Sequence, residues 1–295
     1  MAFYGIPYAA APTGQGRFRA PKPAGAWAGV RQATEKGYAA LQTPHFIPGF
    51  AASGPQDENC LNLNVWTPTG ATPAAPRPVM VWIHGGGFLN GSADIYDGRW
   101  LTTRGDIVVV TVNYRLGALG FLAHPALSRN GQSGNYGLAD QQAALRWVRD
   151  NIAGFGGDPQ KVTIAGESAG AMSVCDHLVA PGSEGLFSAA ILQSGPCQAQ
   201  SDLPTARAVS DDYAAEAGCT DPAAVAQCLR ALPPARLEGA PAYVGFGPDR
   251  LTGPVTGTEV LPIDPMTAIT SGRVARVPVL IGTNTDEFGL FVALQ

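Results

Sequence analysis

The sequence is short of histidine and short of charge. Among 295 residues there are four histidines, and Asp, Glu, Lys and Arg together make up 14%. The formal net charge is −4. There is no basic excess to attract a polyanion, so nucleic acid and an anionic membrane surface are excluded as expected partners. No apolar run reaches the ~20 residues of a membrane span. The opening stretch, "MAFYGIPYAA", has no basic start leading into a long apolar core, so no signal peptide is expected here. The expected molecule is soluble, with the cytoplasm and the exterior both left open. No pattern specifies an oligomeric state.

Cysteine is also sparse. The five residues are Cys60, Cys175, Cys197, Cys219 and Cys228, and none forms a CxxC pair. That argues against a zinc or redox centre, and neither a metal nor a cofactor is expected. The odd count leaves at least one thiol free or paired outside the chain. Cys219 and Cys228 flank "TDPAAVAQ". They could close a short disulfide loop or remain two half-buried thiols.

What the chain has in quantity is glycine (37) and proline (25), interrupted throughout by apolar strands. "PVMVWIH" (78–84), "IVVVTVNY" (107–114), "KVTIAG" (161–166), "AAILQS" (189–194) and "VPVLIGT" (277–283) are rich in β-branched residues. They lack the alternation of a half-exposed strand, as strands of a sheet covered on both faces do. Between them, "LADQQAALRWVRDNI" sets Leu138, Leu145, Val148 and Ile152 at helical spacing. "GFGGDP" then predicts the helix stop, because Gly caps helix ends and Pro cannot continue one. Strands alternating with helices predict a mostly parallel α/β sheet. Residues 1–77 read as a wrapping segment with an early strand near 61–66. Residues 198–272 read as a partly helical insertion. The whole chain, 1–295, is read as one domain.

Two glycine-rich turns follow strands. In "KVTIAGESAGAM" (161–172), a strand runs into Gly166, Glu167, Ser168, Ala169 and Gly170, and a helix-compatible run leaves. Glycines on either side let a strand turn sharply into a helix, so the serine stands at the helix start. There the dipole and free N–H groups favour an anionic oxygen. Ser168 is therefore the candidate nucleophile, against an ordinary turn serine, and the N–H of Ala169 is a candidate oxyanion donor. The second turn is "HGGGF" (84–88), directly after "VMVWI". Bare glycine N–H groups there would make Gly86 and Gly87 further oxyanion donors. A flexible turn is the plain alternative; a nucleotide loop lacks its GxGxxG pattern.

These motifs, with "GIPYAAAPTGQGRF", "DENCLNLNVWTP", "VNYRLGALGFL", "GNYGLADQQAALRWVRDNIAGFGGDPQKV", "ILQSG" and "GTNTDEFG", resemble the type B carboxylesterases of the α/β-hydrolase fold nearly end to end. The resemblance implies a serine carboxylic-ester hydrolase working through an acyl-enzyme. It implies Glu287 as the carboxylate that orients the base, with its neighbour Asp286 as the alternative. Glu167 matches a supporting position, where it could tune the base or serve as a buried hydrogen-bonding acid. Asp140, in "GLADQ", matches a structural position. The family pairs cysteines as Cys219 and Cys228 stand here, while the usual partner of Cys60 falls in "YAALQ" (38–42), which has no cysteine. Cys60 is expected free.

The base is the missing part. Chain order in this fold is Ser, acid, His, and "FGLFVALQ" after Glu287 contains no histidine. His177 lies nine residues past Ser168, which on a helix turns it roughly 180° away. His84 resembles a packing position, and His45 and His124 sit in loops with no acid pattern. The chain therefore reads as truncated at its C-terminus and also at its N-terminus, with little or no activity by itself, and with its 277–283 strand a poorly covered sheet edge. The loop 45–59 has no Trp to hold a quaternary ammonium, so a small neutral ester is the expected substrate. The competing class is a non-catalytic binding or adhesion member of the same fold.

Overall fold

A computed structural model describes residues 1–42, 51–128, 134–237, 253–287 and 289. Among them, seven strands form one sheet in the order β1-β2-β4-β3-β5-β6-β7. The strands are β1 (Ala2–Pro7), β2 (Asn62–Trp66), β3 (Arg77–Ile83), β4 (Val108–Val112), β5 (Gly157–Glu167), β6 (Ala189–Gln193) and β7 (Val279–Gly282). The five from β4 across to β7 run parallel, and β1 and β2 add an antiparallel edge. The predicted mostly parallel α/β sheet is observed, as a mixed sheet with five parallel strands. Its antiparallel corner holds a difference. The segment read as wrapping contributes β1, which pairs with β2 through Ala2, Phe3, Ile6 and Pro7 across a register shift between Phe3 and Ile6. That irregularity removes the clean alternation by which a strand announces itself.

Helices α1 (Arg99–Gly105), α2 (Gly117–Phe121), α3 (Tyr136–Asn151) and α4 (Ala169–Val179) follow or precede the strands. Leu138, Leu145 and Val148 line the buried stripe of α3, each at most 1% exposed, and Ile152 continues it. The stop is tighter than "GFGGDP" suggests. A 3₁₀ turn, Ile152–Phe155, ends on Gly156 at φ 79°, and β5 begins at the next residue. The excursion after β6 carries α5 (Leu203–Glu216), α6 (Val225–Ala231) and α7 (Pro265–Thr270).

Valines of β3 and β4 and the inner residues of β5 form the main core, with Leu145 and Val148 of α3, Ile152 of the 3₁₀ turn, and Val174 and Leu178 of α4 packed on them. By contrast, every residue of β7 is exposed, Leu280 at 64% and Ile281 at 63%. No helix among the described residues is long and apolar enough to cross a membrane.

Two disulfides form. Cys219–Cys228 is the short loop considered above. Cys175–Cys197, with a sequence separation of 22, had no signal in its spacing. It ties α4 to the segment after β6, a contact that exists only once β5 and β6 lie side by side. Closing that loop is worth about 3 kcal/mol by chain entropy. Cys60 is free and buried, and burial pushes its thiol far up, so it stays protonated and inert.

Candidate active site

β5 delivers its last residue, Glu167, at the C-terminal end of the sheet, and α4 starts two residues later. Between them Ser168 sits at φ 54°, ψ −124°. A non-glycine residue held there stores roughly 1–3 kcal/mol of backbone strain. Three of the five non-glycine residues with positive φ among the described residues belong to this neighbourhood: Phe88, Ser168 and Ser194. The Ser168 N–H donates to the Gln193 carbonyl at 2.9 Å, which locks the turn to the end of β6.

The loop after β3 closes over this turn. A Cβ on Gly85 would lie 2.7 Å from the Glu167 carbonyl and 3.1 Å from the Ser168 Cβ, so only glycine allows the approach. Gly86 follows at φ 102° and Gly87 at φ 63°. The Gly86 carbonyl accepts from the N–H groups of Leu89 and Asn90 at 3.0 and 2.9 Å. Its own N–H, and those of Gly87 and Ala169, donate to no acceptor among the described residues. Free donors next to a strained serine at a helix start form a cradle for negative charge.

The carboxylates come from two places. The Glu287 side chain accepts from the Asn284 backbone at 3.1 Å and from its Nδ2 at 3.0 Å. The Asn284 Nδ2 also donates to the Ser194 Oγ at 3.3 Å. The Ser194 hydroxyl, then Asn284, hold Glu287 below the ordinary carboxylate range. Half-buried Glu167 is pushed the other way, first by burial and then by the charge of Glu287. Glu167, beside Ser168 in the chain, and Glu287, beside Ser194, thus carry opposite shifts, Glu167 raised and Glu287 lowered. Asp286 turns to its own chain, accepting from Gly289 N–H at 3.1 Å.

No hydrogen bond joins a described histidine to Ser168. The His177 Nε2 pairs with Gln141 Oε1 at 2.9 Å and its Nδ1 with Ser183 Oγ at 2.8 Å. Complete burial lowers it to about 3. His84 pairs through Nδ1 with the Gly85 carbonyl at 2.8 Å and stacks on Tyr114 at 4.5 Å. Burial lowers it to about 4, so it is neutral at pH 7. His124 accepts from Ala126 N–H at 3.1 Å. One correction applies to it: an acid does reach it, because Asp211 on α5 lies 3.2 Å from Nε2. Burial nevertheless outweighs that charge and lowers His124. His45 lies outside the described residues. Asp140, as expected, is structural, bound by Arg115 at 2.6 and 2.7 Å in the interior. No group of three or more His, Cys, Asp or Glu among the described residues could hold a metal ion.

Sequence reasoning passed over Ser194 and Asn284. "ILQSG" was recognisable only as a motif. Its signal is position, a polar residue just past a parallel strand adjacent to the strand that leads into Ser168.

A profile of the carboxylesterase family matches residues 1–295. The chain belongs to the carboxylesterase family. Within that family it is 42% identical to the fumonisin B1 esterase of Sphingopyxis macrogoltabida, over 97% of this chain and 53% of that protein. It is 40% identical to the para-nitrobenzyl esterase of Bacillus subtilis, over 97% of this chain and 59% of that one. The mouse acylcarnitine hydrolase is also 40% identical, over 97% and 52%. Among solved structures, a Geobacillus stearothermophilus carboxylesterase matches with a TM-score of 0.87 and 40% identity, covering 100% of this chain and 60% of that one. This carboxylesterase-family chain thus spans 52–59% of the lengths of these curated relatives.

Proposed function

We propose that Ser168 is the nucleophile of a carboxylic-ester hydrolase that works through an acyl-enzyme. The observation that carries this is the strained Ser168 at the strand–helix turn, roofed by Gly85, with the N–H groups of Gly86, Gly87 and Ala169 donating to no acceptor among the described residues. The Ser168 Oγ attacks the ester carbonyl. The N–H groups of Gly86, Gly87 and Ala169 hold the oxyanion, usually the largest electrostatic contribution in acyl transfer. Glu287 orients the base, and Glu167 supports the site from beside the nucleophile. The base is a histidine that takes the Ser168 proton and passes it to the leaving alcohol, and water then releases the acid. In the fold's chain order that histidine follows Glu287. None follows it within the 295 residues, so these residues by themselves are expected to be nearly inactive. Such a site retains roughly 10³–10⁴-fold catalysis over water. The substrate is a small neutral ester.

The test compares two proteins on p-nitrophenyl esters: the 295-residue chain, and a chimera that continues it with the remaining segment of the Bacillus para-nitrobenzyl esterase. Turnover is expected in the chimera and lost on Ser168→Ala. Robust Ser168-dependent turnover by the 295 residues alone overturns the assignment of the base. Chimera turnover that survives Ser168→Ala overturns the nucleophile.

A further inference from the structure

Asp176 lies on α4, eight residues past Ser168, and is fully buried at 0% exposure. Its Oδ1 accepts a 2.7 Å hydrogen bond from Gln200 Nε2. Its Oδ2 and the Gln200 Oε1 are both buried, and neither has a partner. An ionised aspartate has only acceptors, so it leaves both of these oxygens bare. A protonated carboxyl carries one O–H donor, and the two vacant oxygens belong to the same pair of side chains. One proton resolves both: Oδ2–H donates to Oε1 while Nε2–H donates to Oδ1.

We propose that Asp176 is kept as a neutral carboxylic acid, closed in a two-bond ring with Gln200, and that losing this proton loosens the segment 194–202 from α4.

The surroundings agree. Burial pushes the carboxyl far up, and the bond from Gln200 only partly offsets it. The charged group that faces it is Asp264, the N-cap of α7, of the same sign. His177, the next residue, turns to Gln141 and Ser183. No charged group of β3, β5 or β6 acts on it. Ionising Asp176 in place would bury an unpaired charge, so opening is the alternative.

What opens matters to the site. The segment that carries Gln200 begins with Ser194, beside Glu287, and Gly195, packed on the Ser168 backbone. It is joined to α4 twice in neighbouring positions, by Cys175–Cys197 and by Asp176–Gln200. Asp176 is therefore a positioning residue. The inference concerns the fold behind Ser168 and does not rest on its chemistry.

The sign follows from linkage. The folded carboxyl titrates above its unfolded value of ~3.9. The stabilisation is complete below that value and is lost as pH rises through the folded one. Asp176→Asn places a permanent N–H donor where the acid had its O–H, so the ring persists at every pH. Melting of the full chain is expected to rise by about 2 °C or more at pH 8, with the gap closing toward pH 4. In the unmutated chain, a phosphine reductant followed by alkylation and peptide mass spectrometry reads the opening directly. Reduction of Cys175–Cys197 relative to Cys219–Cys228 is expected to rise several-fold from pH 5 to pH 8. A melting gap independent of pH, or a reduction ratio that stays flat, overturns the proposal. If the Asn variant fails to fold, the ratio in the unmutated chain decides.

Discussion

The two halves of the candidate site are built in opposite ways. Ser168 and its glycine roof are held from every side, by β3, β6, α4 and a strained backbone that the surrounding packing over-determines. Glu287 stands at the other extreme, on the loop after β7, a strand whose four residues are all exposed. Its geometry depends on a few polar contacts to Asn284 and Ser194. Ser168 is thus held in place by a core, and Glu287 by hydrogen bonds at a sheet edge. Preorganisation of a reacting group needs packed neighbours with fixed rotamers. The β7 edge lacks such cover, and an exposed apolar edge strand is also an aggregation hazard.

The comparison can be broken most severely at Arg115. Arg115→Leu leaves Asp140 charged and unpaired in the interior, and unfolding by urea should show a loss of about 3–5 kcal/mol. No charge on the β7 side is so placed. A matched pair of truncations sharpens the contrast. Ile164→Ala, in the buried centre of β5, should cost about 2–5 kcal/mol. Ile281→Ala, the same chemistry on β7, should cost less than about 0.5 kcal/mol and reduce self-association in light scattering. Equal losses at the two sites would erase the distinction. The smallest effect joins the halves. Glu287→Gln removes the charge that, after burial, pushes Glu167 up, so Glu167 should titrate lower by carboxyl-detected NMR with stability little changed. An unmoved Glu167 would mean that the two carboxyls do not interact.

Legibility in the sequence followed the same divide. The Ser168 half could be read because its demands are local: a β-branched run, glycines at fixed offsets, a helix start. The five apolar strands were found within a few residues of their ends because each is a short apolar run, but the cover on both faces expected of all five is not found at β7, which lies at the edge of the described sheet with all four residues exposed. β1 was missed because its register shift breaks the alternation. Ser194 and Asn284 were missed because hydrogen-bonding to a carboxylate from another strand leaves no periodic trace. The Cys175–Cys197 bridge was missed because 22 residues of separation say nothing about proximity.

By itself, then, the sequence determined the mostly parallel sheet, the strand–helix turn at Ser168 and the glycine turn at 85–87. Each follows from residue types and spacing along one stretch of chain. Only the tertiary structure decided which polar groups meet. It set Glu287 against Ser194, turned His84, His124 and His177 to other partners, joined Cys175 to Cys197, and buried Asp176 beside Gln200. Those outcomes depend on which strands become neighbours, and neighbours in a parallel sheet are joined through crossovers that carry no record of the side chains they will bring together.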